Sequence, residues 1–85
     1  MNHLDGNALA GVFADTLGVE ITTAIGQCGS CRRSFELARA RAFVTAMGAV
    51  MRCAGCDSTL AVIVDNGQER LVNLSGLGYI RVARP

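Results

Sequence analysis

The apolar residues change their spacing along the chain. In "LDGNALAGVFADTLGVE", Leu9, Val12, Phe13 and Leu17 recur at helical intervals and make one apolar stripe. That stripe predicts a helix within residues 1–18, packed by this face on the rest of the molecule. Asp5 or Asn7 is placed to cap its start, because a short side-chain oxygen accepts a backbone N–H left free there. Gly18 suits the left-handed residue that ends many helices. Val19, Ile21 and Ile25 then alternate, which predicts a strand. The segment "RSFELARARAFVTAMGAVMRC" reads two ways. Its Ala, Leu and Arg favour helix, whereas Leu37, Arg39, Arg41 and Phe43 share one strand face and "AMGA" can reverse the chain. "STLAVIVDNGQERLVNLSG" predicts a hairpin turning at Asp65-Asn66-Gly67, and "GYIRVA" a last strand. "LAVIV" is apolar at odd and even positions alike, so it expects cover on both faces. A small helix covers one. The rest of the chain, or a second copy in a homodimer, must cover the other.

All four cysteines fall into two matched pairs, Cys28-Gly-Ser-Cys31 and Cys53-Ala-Gly-Cys56, with 21 residues between them. A Cys-x-x-Cys turn lets two sulfurs face one ion, and two such turns complete a tetrahedral thiolate site for Zn²⁺. Gly29 and Gly55 relieve crowding inside the turns. A closed site also explains the preference for strands over residues 34–52, since a ribbon that returns on itself brings the pairs together. Cys28, Cys31, Cys53 and Cys56 are therefore the candidate ligands of one structural Zn²⁺.

At 85 residues the chain is short enough that its core is marginal, which makes a metal staple useful. The start carries Asp5 and Asp15 and no basic region, unlike a signal peptide. The longest low-charge apolar run, "AFVTAMGAVM", is half of what a membrane span needs. Those features predict a cytoplasmic protein with no membrane partner, whose thiols stay reduced and bind metal in preference to forming structural disulfides. Catalytic zinc keeps an open position, and four cysteines leave none. His3, the sole histidine, reads as an ordinary terminal residue. No enzyme is expected.

The doubled "CGSC…CAGC" resembles a zinc ribbon. With the opening "LDGNALAG", most of the chain is similar to a domain-of-unknown-function family of small actinobacterial zinc-ribbon proteins. The resemblance implies the same four cysteine ligands and no activity. The residue after each second cysteine is often Gly in ribbons, and here it is Arg32 and Asp57. The expected fold is small α+β: one domain over 1–85, with an N-terminal helix (1–18) followed by a zinc-ribbon-like antiparallel β-sheet (19–85).

Charge is uneven. Residues 1–30 sum to −3, residues 31–52 to +4, and the remainder balances. Arg32, Arg33 and Arg52 flank the cysteines, with Arg39 and Arg41 placed on the hairpin. Five arginines fall short of the ~6–10 basic contacts of firm phosphate binding, and aromatic platforms for single strands are nearly absent. A protein-interaction or adaptor role is therefore favoured over a nucleic-acid-binding ribbon. A rubredoxin-like iron site or a dithiol redox protein is the third reading, because iron also accepts four thiolates. It is disfavoured because the chain has no Trp and no βαβ pattern around its cysteines.

Overall fold

The computed structural model describes residues 4–18, 20–21 and 23–82. Strand β1 (Leu4–Asp5) leads through a 3₁₀ turn (Gly6–Leu9) into helix α1 (Ala10–Leu17). Strands β2 (Ile25–Cys28) and β3 (Ser34–Glu36) follow, then a 3₁₀ turn (Leu37–Arg39). Next come β4 (Arg41–Thr45), β5 (Gly48–Arg52), β6 (Thr59–Asp65), β7 (Arg70–Asn73) and β8 (Leu77–Arg81). All pairings are antiparallel, in a five-stranded sheet ordered β1-β4-β5-β6-β7 and a three-stranded sheet ordered β3-β2-β8. The α+β class and the helix-then-sheet order are as the sequence predicts.

The helix is shorter than 1–18, and the side chains of its expected caps, Asp5 and Asn7, lie outside the described residues. Leu9 is its N-cap and makes no side-chain cap hydrogen bond. Its end is as expected: Gly18 is left-handed, with φ 68°, and its N–H reaches the Ala14 carbonyl. Leu9 and Phe13 are buried and Leu17 is largely exposed, so the apolar stripe narrows toward the C-terminus. The strand expected from Val19 begins only at Ile25. Ile21 is buried within a turn, and Val19 lies outside the described residues, as does His3.

The hairpin expected over 34–52 divides in two. Residues 41–52 form it, turning at Ala46-Met47, with Arg41 opposite Arg52 and Thr45 opposite Gly48. Ser34–Glu36 instead pairs with β2 in the other sheet. Leu37 and Arg39 are not on a strand. The Leu37 side chain is fully buried and its N–H bonds the Ala24 carbonyl. It lies against Gly26, where an added Cβ would collide with it. The bend between the sheets thus buries Leu37. The hairpin at 59–73 forms as predicted, and Asn66 Oδ1 accepts the N–H groups of Gln68 and Glu69 at 2.9 and 2.8 Å.

One face of the larger sheet supplies Ala42, Ala49, Met51, Ala61 and Ile63 to the core. Leu9, Phe13, Ile21 and Leu37 pack with them in the same core. Leu60 is also buried, at a bulge where Met51 faces Ala61 and Arg52 faces Thr59. Two-sided cover of "LAVIV" holds for Leu60 and Ala61, whereas Val62 is half-buried and Val64 exposed. Among the described residues, no helix is long and apolar enough to cross a membrane.

Candidate metal centre

Each Cys-x-x-Cys is the turn of a tight antiparallel connection. The first joins β2 to β3 and the second joins β5 to β6, so one pair comes from each sheet. The two turns repeat the same backbone pattern. Cys28 N–H bonds the Arg33 carbonyl at 2.9 Å, and Cys53 N–H bonds the Ser58 carbonyl at 2.9 Å. Arg32 N–H returns to the Cys28 carbonyl at 2.9 Å, and Asp57 N–H to the Cys53 carbonyl at 2.8 Å. Arg32 and Asp57 are the non-glycine residues with positive φ among those described, at 65° and 64°. Arg32 and Asp57, which stand where ribbons often carry Gly, thus both adopt the left-handed conformation that Gly would take.

These twin turns bring the four sulfurs within 4.8 Å of one another. Cys28 Sγ lies 3.6 Å from Cys56 Sγ, and Cys31 Sγ lies 3.8 Å from Cys53 Sγ. The cysteines are free thiols, since a disulfide needs ~2.05 Å. The separations suit a metal. Four thiolates at ~2.3 Å from a tetrahedral ion stand ~3.8 Å apart. The first cysteine of each pair is buried and the second exposed. Backbone N–H groups approach the buried sulfurs: Cys31 N lies 3.5 Å from Cys28 Sγ, and Gly55 N 3.4 Å from Cys53 Sγ.

The thiols differ in acidity. Cys56 is drawn down to about 6 by the Ser58 hydroxyl, 3.2 Å from its sulfur, and by a backbone hydrogen bond from the same residue. At Cys31, a backbone hydrogen bond from Arg33 acts to lower the pKa. Desolvation and the sulfurs of Cys28, Cys56 and Cys53 outweigh it and push the thiol up to about 11. Four soft sulfur donors that converge on one point fit a thiophilic metal ion. Cys28, Cys31, Cys53 and Cys56 could hold one.

A model of the family of unknown function DUF6510 matches residues 1–85. The chain belongs to DUF6510. No curated protein and no solved structure matches this DUF6510 chain.

The arginines are largely engaged by their own chain. Asp57 takes Arg41 on one carboxylate oxygen at 3.6 Å and Arg52 on the other at 3.5 Å. Arg52 also lies over the Phe43 ring, and Arg39 pairs with Glu36 at 3.4 Å. The Arg33 guanidinium comes close to Gly55, where a Cβ would stand 3.3 Å from it, so its charge is next to the second turn. Two supporting residues escape the cysteine pattern. Ser58 was findable as a hydroxyl two residues beyond Cys56. Gly76 carried no local signal. Its carbonyl accepts the Gly29 N–H at 2.9 Å, and it sits so close to β6 that a Cβ would collide with the Thr59 carbonyl.

Proposed function

We propose that this DUF6510 protein is a zinc ribbon, in which Cys28, Cys31, Cys53 and Cys56 hold one structural Zn²⁺, and that it serves as a non-enzymatic protein-interaction module in the cytoplasm. The observation that carries the reading is the pair of matching turns, which gathers four sulfurs within 4.8 Å of one another, a complete set of four thiolate donors for one ion. The metal would join the two sheets at the point where they meet. Structural zinc in small peptides contributes an apparent ~10–16 kcal/mol at neutral pH, more than a small core can supply.

A protein partner is favoured over nucleic acid because Arg41 and Arg52 share Asp57 and Arg39 pairs with Glu36. Among the described residues Arg32, Arg33 and Arg81 make no ion pair, fewer than the ~6–10 basic contacts of firm phosphate binding. Metal analysis by native mass spectrometry of protein purified from its own cells is the decisive experiment. One Zn²⁺ per chain and a colourless solution are expected. A visible absorbance band would establish a ferric tetrathiolate instead, and a folded metal-free chain would overturn the metal centre. Micromolar, salt-sensitive binding of mixed DNA or RNA oligomers, lost in a folded R32A/R33A/R52A variant, would replace the protein partner by nucleic acid.

A further inference from the structure

The larger sheet has a second face, turned away from the core. The strand register sets out what it carries. Opposed residues in adjacent strands point to the same side, so Phe43, Val50, Val62 and Asn73 form one row across β4-β5-β6-β7. Thr45, Gly48, Val64 and Leu71 form the next. Neither row contains an ionisable side chain. Val64 is 38% and Leu71 57% exposed, while Phe43, Val50 and Val62 are half-buried. At Val64 and Leu71 the face is open to solvent.

Its relief is uneven in an informative way. Gly48 has no side chain, and the sheet sinks there into a hollow of about 190 Å³ whose walls include Met47, Val50, Val62 and Val64. The hollow cannot be filled from within, since a Cβ on Gly48 would strike the Ile63 carbonyl. Two strands along the same row stands the protruding Leu71, roughly 10 Å away at the usual strand spacing. A knob and a hole on one row, with Val64 between them, are related by an axis running along β6. Rotation by half a turn about that axis exchanges β5 with β7. It sets Leu71 of each copy over the Gly48 hollow of the other, and Val62 and Val64 against their own counterparts. A surface that is its own complement is the mark of a two-fold contact. Arg41 and Arg52 lie one row toward the metal centre. Their images across the axis fall beyond the end of β7, so no like charges are opposed.

We infer that this face binds a second copy of the chain, through reciprocal insertion of Leu71 into the hollow over Gly48. The inference deepens the interaction reading above and does not depend on which metal the cysteines hold. The two rows span roughly 300 Å² of flat sheet at ordinary strand spacings, well below the ~800 Å² per partner of a standard interface. The dimer is accordingly a weak one, in exchange with monomer.

The test is sedimentation equilibrium of the metal-loaded full chain from about 10 µM to 1 mM, a range chosen to span weak association. The mass should rise toward twice the 8.9 kDa of one chain. Leu71→Arg should hold it at the monomer value throughout while keeping its metal, and Leu17→Arg, on the exposed side of α1, should leave dimerisation unchanged. In wild-type protein mixed from labelled and unlabelled chains, isotope-filtered NMR should give contacts from the Leu71 methyls to Gly48 and Val50 of the other copy. A monomer at 1 mM overturns the inference, as does a dimer that survives Leu71→Arg or whose intermolecular contacts lie on another face. Those outcomes would leave the metal centre and the search for a different protein partner standing.

Discussion

Arg32 and Asp57 occupy the same place in two different turns. Each follows the second cysteine of its pair, each is left-handed, and each returns its N–H to the carbonyl of the first cysteine. They differ in what the side chain does with the position. Asp57 spans Arg41 and Arg52, whereas among the described residues Arg32 has no ion pair. The left-handed conformation costs a residue with a Cβ roughly 1–2 kcal/mol, less for Asp. Arg32→Gly should therefore stabilise the metal-loaded protein by about 0.5–1 kcal/mol. Asp57→Gly should be close to neutral, because relief of strain is offset by the loss of two exposed ion pairs worth little each. Urea unfolding of the two variants compares them directly, and equal gains would show that the Asp57 carboxylate contributes nothing.

Metal affinity should follow the distance of each group from the ion. Ser58→Ala removes a hydroxyl 3.2 Å from Cys56 Sγ without touching a ligand, and outer partners of this kind are typically worth about 10–100-fold in affinity. A loss near the lower end is expected, since backbone hydrogen bonding to Cys56 persists. Replacing any of the four cysteines by Ala should cost more and abolish cooperative folding, because a structural metal as proposed here would couple binding to folding in a domain this small. Competition with a chelator ranks the variants. A Ser58→Ala protein that binds as tightly as wild type would remove the hydroxyl from the site.

These two turns were legible because their geometry is local. Cysteine spacing, the glycines within each turn and the residue after it are all short-range facts, and so are Gly18 at the helix end and the Asn66-Gly67 turn. The misread segments are those decided at long range. Leu37 has strand-like spacing, yet it leaves the strand because its side chain fills the space that Gly26 opens on a neighbouring strand. Leu9 rather than a polar residue directly precedes α1, and its side chain is buried in the core. The outer face of the larger sheet was half visible in "LAVIV". Which of its residues face solvent needed the register, and the bulge at Leu60 shifts that register by one.

Acid should act through the cysteines and not through the hairpin carboxylate. Asp65 accepts the Gly67 N–H at 2.9 Å and faces Arg70, and both hold its pKa below the ordinary carboxyl value of 3.8. A lowered folded-state pKa contributes stability above the unfolded value and loses it only as pH falls through the lowered one. Between pH 8 and 5 that contribution is constant. Protons compete with metal for thiolates across the same range. Wild type and Asp65→Asn should therefore lose stability in parallel on acidification from pH 8 to 5, with metal release following the same curve. Converging curves would mean that Asp65 titrates above pH 5 and that its hydrogen bonds are not those seen here.

Two glycine substitutions should move stability in opposite directions, and the reason is space. Gly11 lies within α1 with nothing within 4 Å of where a Cβ would stand, so Gly11→Ala gains helix propensity without a clash. About 0.5–1 kcal/mol of stabilisation is expected, nearer the lower figure so close to the helix start. Gly76 is the reverse case. It lies where the chain passes from β7 to β8, its N–H bonds the Leu60 carbonyl at 3.2 Å, and its own carbonyl holds the N–H of Gly29 in the first cysteine turn. An added methyl would meet backbone, with Leu60 Cα at 2.7 Å, and backbone cannot step aside as a side-chain tip can. Overpacking of this kind typically costs 1–3 kcal/mol. Because the displaced loop carries an acceptor for the cysteine turn, Gly76→Ala should also weaken metal binding, a coupling that Gly11→Ala lacks. Thermal unfolding with and without a chelator separates the two effects. If Gly76→Ala lowers stability equally in both states, the loop packs against β6 without supporting the metal centre.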